Sequence, residues 1–289
     1  MRKVSATPAA LIGATVISFS AIFFRLAEVT PLTGSFFRMA YALPVLAAIA
    51  MFAPGDRRPA RSRLLGMLAG VFLGADVSLW HAAIDMVGAG LGTLIVNSQV
   101  VIVPLVTWAL FGERPSTRSL WAMPMVMVGL ALITGLGRDD TFGTRPVLGV
   151  VLAVAAALFY SAFLVTFRRA NRTQGPSVRP LLEATAGAAV VTGLAGWVTG
   201  QLDPVPHWPA HGWLLALALG SQVLGWLAIG YALPRLPATH TSFAILLQPT
   251  LTLVWGMLIF AEDPSPVQLA GSVLVLLGIL VVTVRNGET

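Results

Sequence analysis

Apolar residues run along this chain in ten long blocks parted by short polar stretches. The blocks are approximately Pro8–Phe24, Pro31–Ala53, Leu64–Met86, Gly90–Phe111, Arg118–Leu136, Pro146–Phe167, Arg179–Gly200, Gly212–Ala232, Pro237–Phe260 and Pro266–Val284. A helix needs roughly 20 apolar residues to cross the hydrocarbon core, so each block predicts one membrane span. Backbone polar groups have no water to bond in lipid, and long apolar segments must therefore be helical. The connections leave no room for a soluble domain. Span one follows Arg2 and Lys3 too closely for a separate leader and lacks a small-residue cleavage site, so it is expected to be retained.

A shift of 149 positions superimposes spans four and five on spans nine and ten without a gap: Gln99 meets Gln248, Phe111 meets Phe260, Glu113 meets Glu262, Pro115 meets Pro264, Val126 meets Val275 and Gly129 meets Gly278. Spans one to three match six to eight in length and order only. Each unit then has an odd number of spans, so the second must enter the membrane from the opposite side. The expected fold is an all-α membrane protein of ten transmembrane helices in two inverted five-helix repeats, 1–140 and 141–289. Inverted repeats are a frequent plan of secondary transporters, which hold substrate near the midplane between the halves. Plain duplication in a membrane protein that moves nothing is the competing reading.

Composition agrees with lipid. Hydrophobic residues make up 56 % and charged residues 10 %, whereas soluble domains carry about 25 % charged residues. Cys 0 excludes disulfides and thiolate chemistry. The net charge of +6 and pI near 11.0 would suggest nucleic acid in a soluble protein. Here 14 basic residues, from Arg2 and Lys3 to Arg285, collect on one side of the membrane; Arg25, Arg138 and Arg145 lie on the other, and Arg38 falls inside a span. Basic residues flanking spans stay cytoplasmic, which places both termini there and removes the need for nucleic acid.

The Ser35-Phe36-Phe37-Arg38 entry to span two and the Gly112-Glu113-Arg114-Pro115 turn with Gly129, repeated around Glu262, resemble the EamA-type drug/metabolite transporters. Trp80-His81, Val96-Asn97-Ser98-Gln99 and Phe159-Tyr160-Ser161 are similar to the YddG-type exporters of aromatic amino acids within that superfamily. The resemblance implies a ten-helix exporter of small metabolites in a bacterial-type inner membrane. Its partners would be the lipid bilayer and a small-molecule substrate.

Polar side chains in hydrocarbon are costly, so each one inside a span is a candidate site. Asp76 shares a face with Trp80 and reads either as a cavity carboxylate for a cation or proton, or as a packing residue. His81 is placed to touch substrate. Arg38 and Asp85 lie toward the same membrane side and are expected to form a structural ion pair. Thr93, Asn97, Pro104 and Trp108 share one face of span four; Thr241, Gln248, Thr252 and Trp255 share one face of span nine. Gln99 and Gln248 would then meet across the pseudo-axis. Gln222 and Trp226 of span eight and Tyr160 of span six complete the predicted substrate-binding set of Trp80, His81, Asn97, Gln99, Tyr160, Gln222, Trp226, Gln248 and Trp255. Aromatic rings with a few amides suit flat amphipathic solutes. Gly66, Gly70 and Gly74 form a small-residue ridge for helix packing, and Glu113 and Glu262 are expected to stabilise turns.

No Walker A, HExxH or GxSxG sequence occurs, and the histidines lack metal-site spacing. The chain is therefore expected to need no cofactor, metal or catalytic residue. The leading expectation is alternating-access export of small amphipathic metabolites, amino acids and aromatic ones included. A proton-coupled drug or cation carrier is the alternative, with Asp76 as the coupling group. An intramembrane enzyme using Asp76 and His81 stands third, since nothing supplies a nucleophile beside them. Whether the protein is a monomer stays open.

Overall fold

A computed structural model describes residues 6–53, 55, 58–87, 89–134, 145–172, 177–205 and 207–283; the side chains of 85, 89 and 90 lie outside that description. All secondary structure among the described residues is helical. Among the described residues, nine helical segments are long and apolar enough to cross a membrane: Ala6–Ala27, Pro31–Phe52, Ala60–Ile84, Leu91–Phe111, Pro146–Ala170, Val178–Val198, Ala210–Ala232, Ala238–Phe260 and Pro266–Thr283. The shorter apolar helix Thr117–Ile133 is span five.

Local sequence sets the helix ends. Pro31, Pro146 and Pro266 open helices, where a missing N–H costs nothing. Thr30 and Ser116 cap the backbone N–H groups of Thr33 and Ser119. Spans four and nine end alike: Gly112 and Ala261 are left-handed, at φ 69° and 54°, and the next N–H returns to Thr107 O in one copy and Gly256 O in the other. Those positions are repeat equivalents, so the turn is duplicated in geometry as well as sequence.

Four spans predicted as single helices are interrupted. Span one breaks at Phe19, where the Ser18 carbonyl is diverted to accept the Thr252 hydroxyl at 3.0 Å. Span four breaks at Asn97–Ser98 and span nine at the equivalent Leu246. In span nine Pro249 cannot donate to the carbonyl of Ile245, although span four breaks at the same place with Val100 in the equivalent position. Span eight carries a π-helical segment, Ala218–Gly225, between two α-helical pieces.

Successive spans run in alternate directions. The beginnings of spans one, three, five, seven and nine share one face of the bundle with the ends of the others. Arg58 therefore meets Glu183 there, and Thr33 meets the Gln201 carbonyl on the opposite face. Span three packs on six and seven, span one on eight, span two on seven, and span five on ten. Nearly all this packing joins the first unit to the second. Each pair has its counterpart under a two-fold axis in the membrane plane: three–six answers eight–one, and two–seven and five–ten map onto themselves. The closest approaches use glycine. A Cβ on Gly70 would collide with the Ala184 carbonyl oxygen, and Cβ atoms on Gly129 and Gly271 would stand 2.8 and 2.6 Å from each other's carbonyl oxygens. The outward surface is apolar, with Phe52, Trp121, Val147, Trp197 and Leu258 exposed. Such a surface requires lipid rather than water.

Candidate functional site

The first five-helix unit contributes two ionisable side chains to the interior that the second must solvate. Arg38 of span two directs Nε to Gln222 Oε1 at 3.0 Å, and Gln222 Nε2 donates to Thr185 Oγ1 at 3.0 Å. Gln222 is fully buried and lies in the π-helical segment of span eight. A π turn shifts the side chains after it, and such turns recur at functional sites. Asp76 of span three is 5 % exposed, and its Oδ1 has no hydrogen-bond partner. It shares a helix face with Phe72, whose ring lies 6.1 Å from that of Phe159. Asp76 lies within electrostatic reach of both Tyr160 of span six and Arg38. His81, also in reach of Arg38, lies 4.9 Å from the Trp80 ring and 6.1 Å from Phe24. The buried Trp80 Nε1 and His81 Nδ1 atoms are unpartnered too.

Four spans thus converge on one off-axis polar cluster holding Arg38, Asp76, Trp80, His81, Tyr160 and Gln222 of the sequence candidates. Thr185 and Phe24 join them without having been singled out. Thr185 is one of two hydroxyls, with Thr192, in the Ala- and Gly-rich middle of span seven, and that polarity was the available signal. The expected partner of Arg38, Asp85, has its side chain outside the described residues.

The remaining candidates lie elsewhere. Asn97 donates to its own helix at Thr93 O, 2.9 Å. Gln99 is fully buried and reaches span nine, donating to the Ser242 carbonyl at 3.3 Å. Gln248 is partly buried with Nε2 unpartnered. Trp255 donates Nε1 to Ser18 Oγ at 2.8 Å and stacks on Phe19 at 4.4 Å. Trp226 packs edge-on to Phe163 at 4.9 Å in the apolar core. Trp108 is exposed on the outer surface. A narrow crevice opens between the units near Val103, Leu164, Arg168 and Thr241. It is lined mainly by apolar atoms and lies apart from the charged cluster.

Glu113 and Glu262 do more than end turns. Both Glu113 oxygens accept from Arg168 at 2.7 Å, and Oε1 also accepts from Arg172 at 2.8 Å. Burial alone would raise the Glu113 carboxyl pKa, but the bonds and charges of Arg168 and Arg172 outweigh it and hold it below the usual value. On the other face Glu262 pairs with Arg25. Arg25 also covers the Phe260 ring at 4.0 Å, as Arg169 covers Phe111 at 4.4 Å. Each acidic turn therefore clasps the end of the other unit's first span.

An all-helical chain of ten spans, folded as two inverted units around buried charges, has the build of a secondary carrier. The chain belongs to the EamA-like transporter family, whose model matches residues 5–135 and again 147–284. It is a multi-pass membrane protein, and the family's work is transport of small molecules across the bilayer. The threonine/homoserine exporter RhtA of Escherichia coli K12 is 27 % identical over 229 residues, 79 % of this chain and 74 % of that protein. A probable terminal-alkyne amino-acid exporter of Streptantibioticus cattleyicolor is 26 % identical over 259 residues, 84 % of this chain and 80 % of that protein. A crystal structure 20 % identical in sequence superposes with a TM-score of 0.77 over 97 % of both chains, and shares the fold.

Proposed function

We propose that this protein is a secondary exporter of small amphipathic metabolites, chiefly amino acids with aromatic ones among them. The two inverted units, taken as 1–140 and 141–289, rock about the buried cluster and open it to each side in turn. One observation carries the reading: charged, amide and hydroxyl side chains from five spans (Arg38, Asp76, Tyr160, Thr185 and Gln222) meet inside the bilayer with several polar atoms left unpaired. Unpaired polar atoms there are costly unless a solute visits them. Trp80, His81 and Tyr160 offer ring faces beside the polar groups, and two relatives carry names of amino-acid exporters. Gln99, Asn97, Gln248, Trp226 and Trp255 would line the path as the units move. The basic residues favour a cytoplasmic placement of both termini in an inner membrane. The solute leaves chemically unchanged, so the protein is no enzyme in this reading.

Flux in proteoliposomes tests it. Labelled amino acids should cross and be recovered intact, and Trp80→Ala or Gln248→Ala should slow them without loss of insertion. Normal rates in both variants refute the assignment of the path. Asp76 supports a second reading, proton coupling. Asp76→Asn should then abolish the response of flux to a pH gradient; an unchanged response leaves facilitated efflux.

A further inference from the structure

We propose that Arg38 and Asp76 are the two poles of a zwitterion site. The Arg38 guanidinium takes the carboxylate and Asp76 Oδ1 takes the ammonium of one α-amino acid. The inference deepens the carrier reading above and rests on it for the solute's route.

The argument begins with what the two groups do not do. They lie within electrostatic reach of one another, yet no hydrogen bond or ion pair joins them among the described residues. A half-buried guanidinium this near a buried carboxylate would ordinarily close that contact, because the carboxylate otherwise stays desolvated and uncompensated. Here Arg38 is held off. Gln222 accepts its Nε–H and is itself anchored on Thr185, which fixes the plane of the guanidinium. The terminal nitrogens donate to nothing among the described residues, and the planar fork they form suits a carboxylate. Asp76 Oδ1 is buried and unpartnered, an acceptor without a donor.

Charge balance then selects the ligand. One cation and one anion sum to zero, so a zwitterion compensates both poles at once. An amine alone leaves Arg38 bare, and a carboxylate alone leaves Asp76 bare. Each bare pole in a low-dielectric interior is a penalty against the wrong solute. Tyr160, in reach of both poles, and Trp80 and Phe24, gathered around His81, would face the amino acid's side chain. The site thus discriminates by the charged ends and tolerates variety in the rest.

Purified protein, titrated by tryptophan fluorescence and assayed for counterflow in phosphatidylethanolamine–phosphatidylglycerol liposomes, tests this with three probes. L-Threonine carries both charges, L-threonine amide only the cation, and N-acetyl-L-threonine only the anion. Threonine should bind about tenfold or more better than either, since each pole supplies a charge-assisted bond. Arg38→Gln should erase the preference over the amide, with Arg38→Lys keeping part of it. Asp76→Asn should erase the preference over the N-acetyl compound. These opposite losses are a signature that general damage to the fold would not give. Should Arg38→Gln fail to fold, the nearly isosteric Asp76→Asn decides alone. Equal binding of the three probes, or either preference surviving its variant, overturns the site. Crossing of threonine without charge preference overturns the site and leaves the carrier standing. Binding with both preferences but no crossing does the reverse. Neither binding nor crossing by threonine, homoserine or phenylalanine overturns both.

Discussion

The two acidic turns are duplicates in sequence but unequal in surroundings, and their neutralisation should expose the difference. On one face Arg168 and Glu113 have side chains 8 % and 28 % exposed, joined at 2.7 Å. On the other, Arg25 and Glu262 are 56 % and 47 % exposed. Glu113→Gln turns one acceptor oxygen into a donor that opposes the N–H groups of Arg168 and Arg172. Breaking a buried pair by removing one partner costs about 3–5 kcal/mol. Two features reduce that figure: Glu113 is more than a quarter exposed, and Arg168 keeps its bonds to the Leu233 and Leu236 carbonyls, each at 3.0 Å. A loss of about 2–3 kcal/mol is expected. Glu262→Gln should cost below about 1 kcal/mol, as exposed pairs do, and Arg25 still rests on Phe260. In detergent, tryptophan fluorescence should place the unfolding midpoint of Glu113→Gln about 4–6 °C below wild type and that of Glu262→Gln within about 2 °C. Both variants must be heated at one scan rate, because irreversible unfolding makes the midpoint rate-dependent. Equal shifts, or a larger one for Glu262→Gln, would refute the claim that burial sets the strength of these clasps.

The same clasp gives a pH dependence. Glu113 has a depressed pKa in the folded protein, so its contribution is fully present above the ordinary carboxylate pKa and is lost as pH falls through the depressed value; midpoints measured from pH 7 downward should drop less steeply in Glu113→Gln. Gly70→Ala should destabilise by about 1–3 kcal/mol through overpacking against the Ala184 carbonyl, while Gly55→Ala, with open space around it, should be neutral; equal effects in the same melt refute the close contact. Ala261→Gly should stabilise by about 1 kcal/mol or less, since left-handed backbone suits glycine; a lowered midpoint would count against that turn geometry. Gln222→Met should cost about 1–3 kcal/mol by leaving Arg38 Nε–H unpaired, and an unchanged midpoint would show that Gln222 does not hold Arg38.

The ten spans and the inverted plan were legible because bilayer thickness and backbone satisfaction leave few alternatives, and because Gln99, Glu113 and Gly129 each recur 149 residues later. The ridge of Gly66, Gly70 and Gly74 was legible from spacing alone, and it packs against Glu183, Ala184 and Val191. The interior was harder to read. Gln222 and Trp226 share a face in an α-helix, but the π-helical segment separates them, sending one to Arg38 and the other to Phe163. No Pro or Gly marks the break at Phe19, where a hydroxyl on a distant span bonds the Ser18 carbonyl. Arg38 has its partner 184 positions away, a separation that topology narrows to a membrane level but not to a residue. Glu113 and Glu262 looked like local caps, although the duplication itself held the clue that whatever one turn grips on one face, the other should grip on the opposite face.

That inference from symmetry also marks its own limit. The pairs that join the units obey the pseudo-two-fold axis: the clasps, the Arg–Phe contacts, and the packing of span five on ten and two on seven. These contacts make up the frame, and a carrier that opens to both sides needs a frame that closes equally well on each. The charged cluster does not obey the axis. Arg38 and Asp76 both come from the first unit, and the second supplies neutral Tyr160, Thr185 and Gln222. A single solute bound once per cycle has no use for two copies of its site. Divergence of spans one to three from six to eight, beside the close match of four and five to nine and ten, is what that division of labour requires. The well-matched spans carry the symmetric acidic turns and the five–ten contact, and the diverged spans hold Arg38, Asp76 and the neutral groups around them.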